Sequence, residues 1–217
     1  MIKVNLFQKT IVLFFISAFF LSGVAISAFA ESNAGKSSPL KNAVILIIRH
    51  AEKPTEGFEL SPAGQARAKA YAGYFQKYMI DGKLIKIDYL FSTADSQESH
   101  RPRLTIEPLS KSLGMKIESR FQDDDFAKLA QEIQDQPHGQ NLLICWHHGK
   151  IPGLLSALGA DPARLLPGGK WPGEVFGWVM QLRYDENGKL SDARCIDENL
   201  MPGDSDKPCF CCGGANT

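Results

Sequence analysis

The chain has 217 residues with 24 basic and 24 acidic side chains, so its formal net charge at pH 7 is zero. A balanced charge lacks the basic excess that marks nucleic-acid-binding proteins, and nucleic acid is excluded as an expected partner. An anionic substrate must therefore be bound by a few well-placed cations rather than by a general positive field.

Residues 1–30 have the pattern of a cleaved secretory signal peptide. Lys3 and Lys9 form a basic start, residues 11–25 are almost wholly apolar, and residues 28–30 have the small-x-small form of a cleavage site. An uncleaved N-terminal anchor is the alternative, although the apolar run is short for a stable span. We expect a periplasmic or secreted protein with no stable membrane span after cleavage. Its 187 residues, with 22 basic against 24 acidic side chains, suffice for one domain.

Apolar runs alternate with helical patterns behind a polar linker at residues 31–42. The predicted strands cover 43–48, 85–92, 115–118, 142–146, 175–184 and 190–196, and the predicted helices cover 62–79, 101–113, 126–133 and 152–158. This alternation predicts an α/β fold, a three-layer sandwich with a mostly parallel central sheet, helices on both faces and a C-terminal hairpin. We assign residues 43–200 to one catalytic domain and residues 201–217 to a Cys-rich tail.

The five cysteines fall into two groups. Cys145 lies inside an apolar strand and is predicted to be a buried free thiol. Cys195 is predicted to form a disulfide with Cys209, Cys211 or Cys212, because export favours oxidation. A zinc site at these four cysteines is the alternative, although their spacing is not a usual finger pattern.

Two of the apolar strands end in residues suited to chemistry. Residues 44–48 are followed by Arg49 and His50, and residues 142–146 are followed by two further histidines. Ligands of open α/β sheets bind beyond the carboxyl ends of the strands, so imidazoles from both strands are expected in one pocket. Arginine can clamp phosphate oxygens, and neutral imidazole can attack phosphorus. Nearby arginines keep the imidazole neutral by lowering its pKa.

Four segments carry a more specific pattern, in the same order along the chain. They read Ile-Arg-His-Ala-Glu-Lys-Pro at 48–54, Leu-Ser-Pro-Ala-Gly-Gln-Ala at 60–66, Phe-Ser at 91–92 with Arg-Pro-Arg-Leu-Thr-Ile-Glu-Pro at 101–108, and Trp-His-His-Gly at 146–149. Together they resemble the Arg-His-Gly motif and the following motifs of the histidine phosphatase superfamily, also called phosphoglycerate-mutase-like. The resemblance covers roughly residues 43–159.

The resemblance implies a role for each matching residue. It makes His50 the phosphoryl-accepting nucleophile and assigns phosphate binding to Arg49, Arg101 and His148, with His148 also donating to the developing charge. His147 is the alternative for the second catalytic histidine. The resemblance implies no metal and no cofactor.

The leaving group also needs an acid, which the family takes from a carboxylate whose position varies. Gly149 excludes the branch with an acid directly after the second histidine. The remaining candidates are Asp123, Asp124, Asp125, Glu118 and Glu52. The sequence does not choose among them.

The sequence thus predicts an exported, metal-independent phosphatase that hydrolyses small phosphomonoesters through a phosphohistidine on His50. A phosphomutase on the same scaffold is one alternative. A catalytically silent envelope protein that binds phosphate or a partner is another, because Ala51 replaces the motif's glycine and Leu104 stands where glutamine is common. The physiological substrate and the oligomeric state stay open.

Overall fold

The structure is a computed structural model that describes residues 38–209. Its elements in chain order are β1 (Val44–Arg49), α1 (Pro62–Gln76), β2 (Met79–Ile80), β3 (Lys83–Leu84), β4 (Tyr89–Thr93), α2 (Arg101–Leu113), β5 (Ile117–Phe121), α3 (Phe126–Asp135), β6 (Asn141–Trp146), α4 (Ile151–Ala157), α5 (Pro162–Leu165), β7 (Trp178–Tyr184) and β8 (Leu190–Asp197). The predicted signal peptide and the last eight residues of the tail lie outside this range. Within it, no helix has the length and apolar character needed to cross a membrane.

Six strands form the central sheet in the order β5-β4-β6-β1-β7-β8. The first four are parallel, whereas β7 is antiparallel to β1 and β8 is antiparallel to β7. This confirms the predicted parallel sheet with a C-terminal hairpin. In the register of β1 with β6, Arg49 pairs with Trp146, so the two strands end level with each other.

Helices cover both faces of the sheet, which confirms the three layers. All six residues of β1 are buried, and successive side chains point to opposite faces. Ile45 and Ile47 belong to the apolar cluster that contains residues of α3 and α4. Leu46 and Ile48 belong to the cluster with residues of α1 and α2. A strand that is buried on both faces needs apolar side chains at successive positions, which explains the continuous apolar run in the sequence.

Several boundaries differ from the prediction, and the strand expected at residues 115–118 runs from Ile117 to Phe121. The helix expected to reach residue 79 ends at Gln76, and the strand expected from residue 85 begins at Tyr89. Between them lies a small hairpin, β2–β3, which turns at Asp81 and Gly82 with φ angles of 49° and 75°. The strand expected from residue 175 begins only at Trp178, because the carbonyls of the preceding loop, including that of Val175, accept hydrogen bonds from Arg49 instead of from a neighbouring strand.

The start of α1 packs against the chain that follows β1. The Ser61 hydroxyl accepts a hydrogen bond from the Gly64 amide at 3.1 Å and caps the helix. A Cβ at position 64 would overlap the main-chain carbonyl of Glu52, so only glycine allows this approach. The second sequence motif therefore serves to fix the loop that carries the first.

Cys195 and Cys209 form a disulfide with Cα atoms 5.7 Å apart. This confirms the predicted pairing of Cys195 with a tail cysteine. Cys145 is a buried free thiol, also as predicted. Cys211 and Cys212 lie outside the described residues.

Candidate active site

His50 and His147 stand side by side at the carboxyl ends of two neighbouring parallel strands. The His50 amide continues the ladder by donating to the carbonyl of Trp146 at 3.0 Å. The centroids of the two imidazole rings lie 5.1 Å apart, with an interplanar angle of 67°. The level ends of β1 and β6 thus bring two imidazoles from distant parts of the chain into contact.

The His50 ring is fixed in one tautomer. Its Nδ1 lies 2.7 Å from the carbonyl oxygen of Ala51, and because a carbonyl can only accept, Nδ1 carries the proton. Burial, with smaller effects from Arg49, His147 and Arg101, lowers the pKa of His50 to about 2. Nε2 of this neutral ring therefore has a free lone pair, as a nucleophile requires.

Arg49 is buried and orders the loop before β7. Its Nη1 donates to the carbonyls of Pro172, Gly173 and Val175 at 3.3, 2.8 and 2.9 Å, and its guanidinium carbon lies 3.8 Å from the ring centroid of Phe176. Burial lowers the pKa of Arg49 to about 10, so it stays charged near neutral pH. Its Nε is buried and lacks a hydrogen-bond partner among residues 38–209. This side chain can therefore offer further donors to an anion.

Arg101 is the first residue of α2, as predicted, and its charge reaches the histidine pair. It lowers the pKa of both His50 and His147. Two of its nitrogens donate to the carbonyls of Gly57 and Glu98 at 3.2 Å. Its Nε is also buried, without a partner in the described part of the chain.

The Thr105 hydroxyl links the start of α2 to the segment that carries His50. It donates to the Arg101 carbonyl at 2.7 Å and accepts from the Ala51 amide at 2.8 Å. The threonine of the third motif thus fixes the residue that follows His50. This function was missed in the sequence, although the motif itself was recognised.

His148 lies farther from His50 than His147 does, with ring centroids 6.4 Å apart. Its Nε2 faces Gly173, and its Nδ1 is buried with no partner in the range that the structure covers. Burial, followed by Arg101, lowers the pKa of His147 to about 4. The His147 ring is thus the closer of the two to the His50 ring. The role assigned to His148 from the sequence stays a prediction.

Several solved structures resemble this chain. A protein assigned as an alpha-ribazole-5'-P phosphatase from Escherichia coli K-12 matches with a TM-score of 0.51 and 12% identity, over 74% of this chain and 98% of that chain. A phosphoglycerate mutase from Plasmodium falciparum matches with a TM-score of 0.49 and 14% identity, over 74% and 94%. A mycobacterial glucosyl-3-phosphoglycerate phosphatase matches with a TM-score of 0.45 and 15% identity, over 74% of this chain and 100% of that chain. No protein-family model and no curated protein matches the sequence.

The Escherichia coli protein, with a TM-score of 0.51, has the fold of the histidine phosphatase superfamily. The chain has the histidine phosphatase fold. At these identities the likeness concerns the fold, and it agrees with the resemblance carried by the four sequence motifs.

Four of the five candidate proton donors already have a basic partner. Glu52 pairs with Arg67, Glu118 with Arg120, Asp124 with Lys150 and Asp125 with Lys128. The pairing of Asp124 also occupies Lys150. Asp123 is the exception among the candidates.

Asp123 combines burial with an unused oxygen. It follows β5, whose carboxyl end lies at the same sheet edge as those of β1 and β6. Its Oδ1 is buried and has no hydrogen-bond partner within residues 38–209. Burial raises the pKa of Asp123 to about 6, although Lys150 opposes the shift. A carboxyl group that holds its proton close to neutral pH is suited to act as a general acid.

Proposed function

We propose that this protein is a phosphatase that hydrolyses small phosphomonoesters through a phosphohistidine on His50. The observation that carries the proposal is the His50 ring itself, neutral, buried and fixed with its Nδ1 proton on the Ala51 carbonyl. Such a ring presents Nε2 as its only lone pair. The predicted export belongs to the same proposal, because a periplasmic or secreted enzyme would meet envelope or environmental phosphates.

Three groups around His50 are suited to bind the transferred phosphoryl group. Arg49 and Arg101 each keep a buried, unpartnered Nε within the described residues, and the His147 ring is in edge contact with the His50 ring. Hydrogen-bond donors placed before the reaction, charged in the two arginines and neutral in an imidazole, stabilise the negative charge on the peripheral oxygens of the transition state. We assign this role to His147 rather than His148 because its ring is closer to His50.

The reaction has two steps. In the first, Nε2 of His50 attacks phosphorus, the bond to the leaving oxygen breaks, and Asp123 gives its proton to that oxygen. In the second, water attacks phosphorus, the nitrogen–phosphorus bond breaks, and the Asp123 carboxylate takes a proton from the water. His50 returns to its neutral state, and phosphate leaves.

The test uses a chromogenic phosphomonoester with purified protein, with and without EDTA. We expect turnover that survives chelation and disappears in His50→Ala. The matched control is His138→Gln, which removes a histidine whose neighbours are Tyr89, Phe91 and Glu132 and should keep its activity. Rapid quenching should trap protein-bound phosphate that is lost in acid and kept in alkali. Activity in His50→Ala, or an acid-stable label, would contradict the proposal.

The alternatives have distinct outcomes in the same experiment. A phosphomutase would move the phosphoryl group to a second position of the substrate instead of releasing phosphate. A silent binding protein would bind phosphate without turnover on any member of a phosphomonoester panel.

A further inference from the structure

Arg67 joins three separate parts of the chain, one of which is the segment that follows His50. This residue of α1 is only 2% exposed, yet it contacts three carboxylates. Its nitrogens lie 2.8 Å from Glu52, 2.7 Å from Glu198 and 2.7 Å from Asp204. Both Glu52 and Asp204 accept two of its nitrogens, so the guanidinium is fixed in position and plane.

Glu52 connects this cluster to the nucleophile. It follows Ala51, whose carbonyl accepts the Nδ1 proton of His50. Its main-chain carbonyl accepts from the Ser61 amide at 3.0 Å, and its side chain is anchored on Arg67. The direction of the Ala51 carbonyl, and with it the tautomer of His50, therefore depends on how firmly Glu52 is fixed.

The other two carboxylates lie in a loop that is closed by the disulfide. Cys195 and Cys209 are 14 residues apart, and Glu198 and Asp204 lie between them. Asp204 also accepts hydrogen bonds from the amides of Leu200 and Met201, which folds the loop around Arg67. The Cys209 amide donates to Asp197 at 2.7 Å, next to the disulfide. Without the covalent closure, the end of this segment would depend on hydrogen bonds such as those of Cys209 to Asp197 and of the Trp178 indole to the Lys207 carbonyl.

We propose that Arg67 is a positioning residue for His50 and that the loop closed by the Cys195–Cys209 disulfide keeps Arg67 in place. This rests on the proposed function of His50 as nucleophile. When the loop is released, Arg67 loses its two hydrogen bonds to Asp204, and the anchor of Glu52 is less firmly fixed. The Ala51 carbonyl can then turn away, and His50 can move its proton to Nε2, where it blocks the attacking lone pair.

The arrangement makes turnover sensitive to reduction. A dithiol reductant would supply two electrons and two protons, break the sulfur–sulfur bond into two thiols, and itself become a cyclic disulfide. The predicted consequence is a slower enzyme that still binds phosphate, because Arg49, Arg101 and His147 are held by other parts of the chain.

The experiment compares kcat and KM for a chromogenic phosphomonoester in the wild type, Arg67→Met, Arg67→Lys and Asp204→Asn. We expect Arg67→Met to lower kcat by about tenfold to a hundredfold, with KM little changed, because small misplacements of reacting groups have effects of this size. Arg67→Lys should recover part of the loss. Wild-type protein treated with dithiothreitol, and a Cys195→Ser/Cys209→Ser variant, should behave like Asp204→Asn. The control is Cys211→Ser/Cys212→Ser, which leaves the Cys195–Cys209 bond intact.

A second measurement does not depend on activity. The ¹⁵N NMR shifts of the His50 ring, assigned by comparison with His50→Ala, should show the Nδ1-protonated tautomer in the wild type and a mixture in Arg67→Met and Asp204→Asn. An unchanged tautomer in both variants, or an unchanged kcat after reduction, would overturn the inference. If the wild type has no turnover, the proposed function fails, and the ring shifts still decide whether Arg67 positions His50.

Discussion

The indole nitrogen of Trp146 donates a hydrogen bond to the main-chain carbonyl of Asp123 over 3.1 Å. Trp146 is fully buried and directly precedes His147, so this bond ties the candidate acid to the strand that carries the second imidazole. The Asp123 backbone is therefore held in place while one of its carboxyl oxygens has no partner within residues 38–209.

Asp123→Asn should separate substrates by their leaving groups. With an alkyl phosphate, whose leaving oxygen needs a proton, we expect kcat to fall by about 10²–10⁴-fold. With p-nitrophenyl phosphate, whose leaving group is a stable anion, the loss should be much smaller. The measurement is kcat for both substrates, with the exposed Asp124→Asn as control. An equal loss on both substrates would assign Asp123 a different role.

The pH dependence should reflect the shifted pKa values. His50, with a pKa of about 2, stays neutral between pH 5 and 7, so the nucleophile is not lost as the solution becomes acidic. Asp123 gives up its proton as the pH rises through about 6, and its contribution as an acid disappears above that value. The ratio of the wild-type rate to the Asp123→Asn rate with an alkyl phosphate should therefore fall between pH 5 and 8. A flat ratio would contradict the assignment.

His147→Asn and His148→Asn should differ in their effect. Because the His147 ring is the closer one to His50, its loss should lower kcat by roughly 10²–10³-fold, as removal of a transition-state donor does. His148→Asn should have a clearly smaller effect. The check is kcat/KM for both variants on one substrate. The reverse order would restore the assignment made from the sequence.

Two glycines of α1 should respond in opposite directions to alanine. Gly64→Ala would overlap the Glu52 carbonyl, and we expect it to lower the free energy of unfolding by roughly 1–3 kcal/mol and to reduce activity. Gly73 is exposed and has open space where a Cβ would stand, so Gly73→Ala should raise stability by about 0.5–1 kcal/mol. Urea denaturation of both variants tests this pair, and destabilisation by Gly73→Ala would refute it.

Glu198 should make stability fall towards alkaline pH. Burial raises its pKa from 4.5 to about 8, although Tyr71 and Arg67 oppose the shift. Between these two values the folded protein binds more protons at this site than the unfolded chain, so the free energy of unfolding decreases as the pH rises, by roughly 1.4 kcal/mol per pH unit at most. Glu198→Gln should remove this slope, whereas the exposed Glu186→Gln should keep it.

Much of the fold could be predicted because its signals are local. These local signals include the apolar runs and the Ser61 hydroxyl that caps α1. They also include Gly114, which ends α2 with a φ of 65°. Arg49 and His50 could be assigned to the end of a strand because the short apolar run at residues 44–48 directly precedes them. The expected strands and helices therefore occur in the expected order, whereas the short β2, β3 and α5 and several element ends were not predicted.

The remaining features of the site depend on contacts that no local pattern encodes. Whether His147 or His148 approaches His50 depends on how the chain turns after β6. The contacts of Arg67 with Glu198 and Asp204 join residues 131 and 137 positions apart. Asp123 could not be chosen from its neighbours, because only the three-dimensional packing shows which carboxylates already have a basic partner.

The double use of Arg49 has a consequence for engineering. One of its nitrogens orders the loop at 172–175, while the side chain also borders the nucleophile. A lysine at this position has a single ammonium group and cannot serve both purposes. Attempts to broaden substrate range should therefore vary the exposed residues of that loop and leave the guanidinium untouched.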